Sequence, residues 1–256
     1  MITLLCWTGF THPESALATE EGVFVSDVGD FKVHDGAIWK LSNGTKHKIV
    51  ENLVDPKGLA LSKGNLYVAD VDRIWKINTS GQRAAASLLV GPGAFPETPR
   101  FLNGLASDAT GYLYATDTFG GWVYIISTTG RITQLFKTDK PNGIDVASNG
   151  TVYVITFTHP GRIYAYDRSR YKAELIYSSE DISGGDGLVL DEDHGFLYAS
   201  GYDSGKIVRI NLGTGAAKVI AQDLTTPADI HLSLDGSKLM VPLLEAGEVL
   251  QIDVSR

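Results

Sequence analysis

The sequence predicts an all-β fold, a six-bladed β-propeller formed by residues 1–256 as a single domain. A pattern of short strands recurs six times with a mean spacing of about 43 residues, which is typical of propeller blades. Within each copy, β-branched and aromatic residues alternate with polar ones, as in half-buried strands. Glycine accounts for 28 of the 256 residues, and only nine are proline. An excess of glycine without proline indicates many tight turns between strands rather than disorder.

Each copy of the repeat contains the same sequence of elements. In the second copy, residues 56–61 form a short motif and a strand, residues 65–70 a strand rich in Tyr and Val, and residues 73–77 a third strand. The last copy ends directly after its third strand. We therefore expect residues 2–7 to supply the outer strand of the last blade and to close the ring, because an unpaired strand edge is avoided in stable sheets.

Composition excludes several classes of function. The chain has 22 Lys and Arg against 30 Asp and Glu, a net charge of −8, and no basic cluster, which argues against a nucleic-acid partner. No apolar run is long enough to cross a membrane. Cys6 is the single cysteine, so no internal disulfide forms. We expect a cytoplasmic protein with a small-molecule substrate; a secreted or periplasmic protein that has lost its signal is the alternative. Composition leaves the oligomeric state open.

One position of the repeat varies in a way that packing does not require. Because the inner strand of each blade runs along the central channel, the residues at its start meet at one mouth of the channel. In chain order these channel residues are Glu14, Lys57, Asn103, Asn142, Asp186 and Ala228. Five of the six are polar, whereas the residues that flank this position stay similar from copy to copy. This contrast indicates a functional site. The alternative is that each side chain caps its own turn.

The residue types at this position point to a hard cation. Glu14 and Asp186 supply two negative charges, and Asn103 and Asn142 supply neutral amide oxygens. Ligands that are all oxygen suit Ca²⁺, with another divalent cation as the alternative, whereas softer metals prefer His or Cys. These four residues are the predicted metal ligands. A second interpretation is that Lys57 neutralises the two carboxylates without any metal.

Residues 12–256 resemble a known group of propellers. The segments that carry the resemblance are Pro13-Glu14, Arg100-Phe101-Leu102-Asn103, Pro141-Asn142-Gly143-Ile144-Asp145 and Asp186-Gly187. They are similar to motifs of the SMP-30/gluconolactonase/LRE-like six-bladed propellers, which are related to paraoxonases and diisopropyl-fluorophosphatase. This chain departs from the family pattern at Gly104, where the family usually has Asp, and at Lys57 in the second blade.

The resemblance implies a Ca²⁺-dependent hydrolase, most simply a lactonase. It implies a catalytic calcium at the channel mouth and makes Asp186 both a metal ligand and the base or nucleophile. Lys57 would stabilise the developing oxyanion or hold a carboxylate of the substrate. A sugar lactone, another lactone and an organophosphate-like ester all fit this chemistry. The alternative function is a non-catalytic, NHL-like propeller that binds a ligand or a protein partner.

Further residues are candidates for substrate binding. They are Arg100, Lys57, Asp229 and His231. For His231 the alternative is a hydrogen-bonded core histidine, and for Arg100 it is an exposed loop position. We expect specificity to reside in the loops 28–36, 91–99 and 156–161, with residues 91–96 as a candidate lid.

Two sets of repeated residues favour a structural interpretation. Asp27, Asp70 and Asp117 each end the second strand of a blade, which indicates turn chemistry. The third strands carry matching tryptophans, which indicate packing between blades: Trp39, Trp75 and Trp122.

Overall fold

The protein is a six-bladed β-propeller, as the repeat predicts. The computed structural model describes residues 5–32, 34–79 and 84–254. Within these ranges, 24 strands form six four-stranded antiparallel sheets, and the helical residues lie in two short 3-10 helices, Pro92–Ala94 and Glu180–Ile182. The all-β prediction is therefore confirmed. Over the same ranges, no helix has the length and apolar character that crossing a membrane requires.

The strands follow the chain from the inner to the outer edge of each blade. The first blade contains β2 (Pro13–Thr19), β3 (Gly22–Asp27), β4 (Gly36–Ser42) and β5 (Thr45–Leu53). The second contains β6 (Pro56–Ser62), β7 (Asn65–Asp70), β8 (Arg73–Asn78) and β9 (Ala85–Val90). The third contains β10 (Leu102–Ser107), β11 (Leu113–Asp117), β12 (Trp122–Ile126) and β13 (Ile132–Lys137). The fourth blade contains β14 (Pro141–Val146), β15 (Val152–Thr156), β16 (Gly161–Asp167) and β17 (Lys172–Ser179). The fifth contains β18 (Gly185–Asp191), β19 (Phe196–Gly201), β20 (Lys206–Asn211) and β21 (Ala217–Ala221). The sixth contains β22 (His231–Leu232), β23 (Lys238–Leu243), β24 (Glu248–Asp253) and, at its outer edge, β1 (Leu5–Thr8).

The sixth sheet joins the two ends of the chain. Strand β1 pairs antiparallel with β24, with Cys6 opposite Leu250 and Trp7 opposite Val249. This is the pairing expected for residues 2–7, of which residues 2–4 lie outside the described residues. On the inner side of the ring, Ser15 of the first blade forms a parallel bridge with Asp229 of the sixth.

The hydrophobic core is divided among the contacts between neighbouring blades. One cluster, for example, joins the second blade to the third, with Ile74 and Tyr124 both fully buried. The repeated tryptophans pack against these clusters as predicted. Trp39 lies between blades six and one, Trp75 between one and two, and Trp122 between two and three. Burial between blades is therefore what holds each sheet against the next.

The inner strands are irregular at the channel residue. In each of blades one to five, the pairing of the inner strand with its neighbour shifts register there. Such a bulge bends the strand and re-aims a side chain. In four blades a glycine follows the channel residue, and its α-carbon faces the carbonyl of the channel residue in the next blade: Gly58, Gly104, Gly143 and Gly187. A Cβ at Gly58 would lie 2.6 Å from the Asn103 oxygen, so side chains do not fit.

Replacement of Gly143 by alanine is expected to destabilise the ring strongly. The new Cβ would collide with the carbonyl oxygen of Asp186 and lie 2.7 Å from the nitrogen of Leu188. Because both are backbone atoms of a packed strand, we expect a loss of about 1–3 kcal/mol or more in the free energy of unfolding. Urea denaturation in the presence of a chelator measures this. Gly93→Ala is the control, since a Cβ there meets nothing within 4 Å. Equal stability of the two variants would contradict the close approach of the inner strands.

Candidate functional site

The five polar channel residues meet in one cavity at the mouth of the channel. The cavity has a volume of about 260 Å³. Its lining includes Glu14, Lys57, Asn103, Asn142 and Asp186. All five side chains are buried, with Glu14 2% exposed and Asp186 6% exposed. The structure therefore brings together residues that are up to 172 positions apart in the chain, as the repeat geometry predicts.

Hydroxyl groups of the second strands hold the backbone at the channel residues. The Oγ1 of Thr116 accepts a hydrogen bond from the nitrogen of Gly104 (2.9 Å) and donates one to the carbonyl of Asn142 (2.6 Å). In the fifth blade, the Oγ of Ser200 accepts from Gly187 (2.6 Å) and donates to Ala228 (2.7 Å). Each hydroxyl thus ties one channel residue to the next blade.

The repeated aspartates support the segment that enters each inner strand. Asp27 accepts hydrogen bonds from the nitrogens of Thr11 and His12, just before Glu14. Asp70 does the same before Lys57, where it accepts from the nitrogens of Val54 and Asp55. Asp117 does so before Asn103, where it accepts from the nitrogens of Arg100 and Phe101. The indole of Trp39 also donates to Asp27 (3.1 Å), and that of Trp75 donates to Asp70 (2.8 Å). These aspartates are turn residues, as the sequence indicates, and they position the site.

Four buried oxygens in the cavity have no hydrogen-bond partner. They are Glu14 Oε2, Asn103 Oδ1, Asn142 Oδ1 and Asp186 Oδ1. Each belongs to a predicted metal ligand, and the four come from four different blades. A buried acceptor without a partner costs about 1–3 kcal/mol, and more when it is charged. Four such groups in one cavity form an arrangement that a bound cation, another polar group or ordered water would satisfy.

The two carboxylates are poorly stabilised in the absence of a cation. The pKa of Asp186 is raised to about 8, mainly by burial and then by the nearby charge of Asp229, while the charge of Lys57 opposes the rise. Burial likewise raises the pKa of Glu14 well above its ordinary value, again opposed by Lys57 and reinforced by Asp186. Burial therefore shifts both carboxyls toward the neutral form, and positive charge added to the cavity would reverse this shift.

Lys57 supplies part of that charge but is engaged elsewhere. Its ammonium forms an ion pair with Asp55 (2.7 Å) and lies 5.0 Å from the centroid of the Phe101 ring. Among the described residues, no ion pair joins Lys57 to Glu14 or Asp186. This arrangement disfavours the interpretation in which Lys57 directly neutralises the two carboxylates.

The donor set fits a hard divalent cation. The four oxygens comprise two carboxylates and two amides, so their summed charge is −2 when both acids are ionised. Oxygen ligands of this kind are those of Ca²⁺, which completes its coordination of six to eight oxygens with water or substrate. Across the described ranges, no group of three or more His, Cys, Asp or Glu residues is arranged for a metal. The fit therefore depends on the amide oxygens of Asn103 and Asn142.

The remaining predicted substrate-binding residues lie outside this cavity. Arg100 lines a neighbouring, more open cavity of about 560 Å³, and its guanidinium donates to the carbonyl of Phe119 (3.0 Å). Asp229 accepts hydrogen bonds from Ser15 (2.7 Å) and His231 (3.2 Å). His231 lines a separate cavity of about 170 Å³ together with Asp145. Burial lowers the pKa of His231, but the charge and hydrogen bond of Asp229 outweigh it and raise the pKa overall.

Sequence reasoning missed most of the cavity wall. Two of the three expected specificity loops reach it, through Phe31 and Phe157. The loop 91–99 does not contribute to its lining; Phe95 is buried against Tyr124 (5.2 Å between ring centroids), which anchors the candidate lid in the core. The sequence did contain a signal for three of these wall residues. In blades four, five and six, the residue after the second strand is large and mainly apolar. These residues are Phe157, Tyr202 and Leu244, and all three line the cavity.

Comparison with solved structures agrees with the propeller fold. A gluconolactonase from Xanthomonas campestris has a TM-score of 0.76 at 18% identity, over 98% of this chain and 90% of the other. A luciferin-regenerating enzyme has a TM-score of 0.77 at 14% identity, over 99% and 95%. Virginiamycin B lyase from Staphylococcus aureus has a TM-score of 0.70 at 14% identity, over the full length of both chains. The sequence itself matches no family model and no curated protein. At these identities the likeness establishes the fold alone.

The stability of the metal-free protein is expected to fall as pH rises from about 4 to 8. The folded protein holds the Asp186 proton up to a pKa of about 8, whereas the unfolded chain releases it near the ordinary value of 3.8. Because the folded state binds more protons in this window, raising the pH favours unfolding. Urea denaturation in EDTA at several pH values measures the effect.

Asp186→Asn isolates this contribution. Asparagine does not titrate, so the stability of the variant relative to the native sequence should increase with pH across the window. Asp193→Asn, an exposed position in the same blade, is the control and should follow the native sequence. Parallel curves for Asp186→Asn and the native protein would contradict a strongly raised pKa.

Proposed function

We propose that the protein is a Ca²⁺-dependent hydrolase that opens a lactone or a related ester at the mouth of the channel. The observation that carries this proposal is the set of four unpartnered oxygens from four blades, two of them carboxylates. Glu14, Asn103, Asn142 and Asp186 are the proposed ligands. The structural likeness to a gluconolactonase supports the choice of a lactone, and the SMP-30/gluconolactonase-like resemblance of the motifs agrees with it.

A calcium ion bound here would polarise the carbonyl oxygen of the substrate. The residues of the chain supply the remaining chemistry. Asp186 is the proposed base: one carboxylate oxygen takes a proton from a water molecule as the water adds to the carbonyl carbon. The ring C–O bond then breaks, and the same proton passes to the departing oxygen. The product is the open hydroxy acid. The alternative is direct attack by Asp186 through an acyl intermediate.

Lys57 is proposed to stabilise the oxyanion that develops during this addition. Lys57 lines the cavity, and Asp55 holds its ammonium through the ion pair. A fixed positive charge in a buried site acts without reorganisation when negative charge appears on the substrate. A carboxylate carried by the substrate is the other group that Lys57 suits.

The alternative is a propeller that binds a ligand or a protein partner without catalysis, like the NHL-type propellers. Such a protein has no need for buried carboxylates and amides with unpartnered oxygens at the channel mouth. The cost of burying them therefore favours the metal-dependent enzyme, since fold alone leaves function open.

Glu14→Gln is expected to lower the affinity for Ca²⁺ by about tenfold to a hundredfold. The substitution keeps the shape of the side chain but removes one of two ligand charges. Isothermal titration of the chelator-treated protein with Ca²⁺ measures the effect, and the native protein should bind one ion in the cavity. Glu20→Gln, an exposed residue of the same blade, serves as the control. Absence of Ca²⁺ binding by the native protein at millimolar concentration would rule out the mechanism.

Asp186→Asn is expected to reduce lactone turnover about 10²–10⁴-fold, the usual range for loss of a general base. The assay follows acid release from a panel of lactones in the presence of saturating Ca²⁺, and Asp193→Asn is again the control. Undiminished turnover by Asp186→Asn would remove this residue from its proposed role. Turnover that persists in excess EDTA would remove the metal.

A further inference from the structure

The part of the cavity wall that surrounds the channel residues is mainly apolar. We call it the apolar collar, and it consists of Phe31, Phe101, Phe119, Phe157, Tyr202 and Leu244. Blades one, three, four, five and six all contribute, so the collar surrounds the opening rather than lying on one side. Anything that reaches the unpartnered oxygens of Glu14 and Asp186 passes these side chains.

Aromatic contacts hold most of the collar in place. Phe101 packs against Phe119, with ring centroids 4.9 Å apart, and Phe157 packs against Tyr202 at 5.7 Å. Phe31 packs against His12 at 4.5 Å. Ring pairs of this kind stabilise the arrangement of the collar.

Two members of the collar are exposed to an extent that the fold does not require. Phe31 is 58% exposed and Phe119 is 52% exposed. Contiguous exposed apolar surface around a concave site usually marks ligand binding, because leaving it in water is unfavourable. Phe119 is placed for such contact, since it lines both this cavity and the neighbouring cavity that Arg100 lines.

The collar offers few partners for hydroxyl groups. The hydroxyl of Thr118, which also lines the cavity, already donates to the carbonyl of Pro141 (2.8 Å). Besides Thr118 and the channel residues, the described lining contains two side chains with polar groups, Tyr202 and Lys140. A polyhydroxylated ring would lose its hydrogen bonds to water here without replacement, and this loss weakens binding.

We propose that the substrate is an ester or lactone with an apolar body, alkyl or aryl, which the collar contacts while its carbonyl lies among the channel residues. The inference rests on the proposed function and specifies its substrate class. A cavity of about 260 Å³ is small beside typical ligand pockets of about 300–1,000 Å³, so the substrate is a small ring with a short substituent. Phe119 and Phe31 are the residues that determine this specificity.

A series of δ-lactones tests the proposal. The substrates are glucono-δ-lactone, δ-valerolactone and δ-decanolactone, assayed with the native protein and saturating Ca²⁺. Each methylene transferred from water to the collar contributes about fourfold in kcat/KM, up to the length that the cavity accommodates. We therefore expect kcat/KM to rise from glucono-δ-lactone to δ-valerolactone and again to δ-decanolactone. Equal or higher kcat/KM with glucono-δ-lactone would overturn the apolar substrate class and leave the lactonase proposal standing.

Phe119→Ser tests the collar itself. We expect kcat/KM for δ-decanolactone to fall about fivefold to tenfold while that for δ-valerolactone changes less than about twofold. A merely structural defect would lower both equally. Tyr171→Ser is the control, because Tyr171 is an aromatic residue that is 85% exposed in a hairpin outside the cavity. An unchanged preference in Phe119→Ser would exclude this contact.

A binding measurement separates the two proposals if no lactone is hydrolysed. The ligand is 3-pentylcyclohexanone, which keeps the carbonyl and the chain of δ-decanolactone but has no bond to hydrolyse, and cyclohexanone is the reference. Tighter binding of the pentyl compound to the native protein, reduced in Phe119→Ser, would support the apolar occupant while the hydrolase proposal fails. No difference between the two ketones would overturn the apolar occupant as well.

Discussion

The close approach of neighbouring inner strands around the channel is the constraint on which the site depends. The carbonyl of a channel residue in one blade occupies the space that a Cβ would need in the previous blade, as at Gly104 and Gly143. Glycine after the channel residue permits this contact, and the register shift in each inner strand accompanies it. Because the hydroxyls of Thr116 and Ser200 bridge adjacent blades, the proposed ligands are positioned by the ring as a whole. A rigid ring is what a precise set of ligands requires.

This arrangement has an electrostatic cost, because it buries two carboxyl groups close to other acidic residues. Glu14 and Asp186 are buried near Asp229, and burial raises the pKa of both carboxyls. Lys57 offsets the effect only in part, since its ion pair is with Asp55. An apolar filling would be more stable than unpartnered polar groups, so their presence signals function at the expense of stability. A divalent cation is the simplest addition that satisfies all four oxygens and makes both carboxylates stable as anions.

Sequence periodicity was sufficient for the fold and for the convergence of the channel residues, because a repeated inner strand brings equivalent positions to one end of the channel. It also separated Asp27, Asp70 and Asp117 as turn residues. It did not reveal that Lys57 pairs with Asp55, since that contact depends on side-chain rotamers at a bend. Phe31 and Phe119 of the collar could not be predicted because they lie in loops of unequal length, where no repeat position indicates which side chain reaches the cavity. Asp229 and His231 share the inner strand region of blade six, but neither side chain is part of the cavity lining, a distinction that sequence spacing does not encode.

In the proposed site, four oxygens from four blades bind one calcium ion. A crystal structure of the protein grown with millimolar CaCl₂ and without chelator tests it directly through anomalous scattering. The expected result is a single calcium peak in the cavity, about 2.3–2.6 Å from Glu14, Asn103, Asn142 and Asp186, with water completing the coordination. An empty cavity at saturating calcium, with the Lys57 ammonium bonded to Glu14 and Asp186, would contradict it.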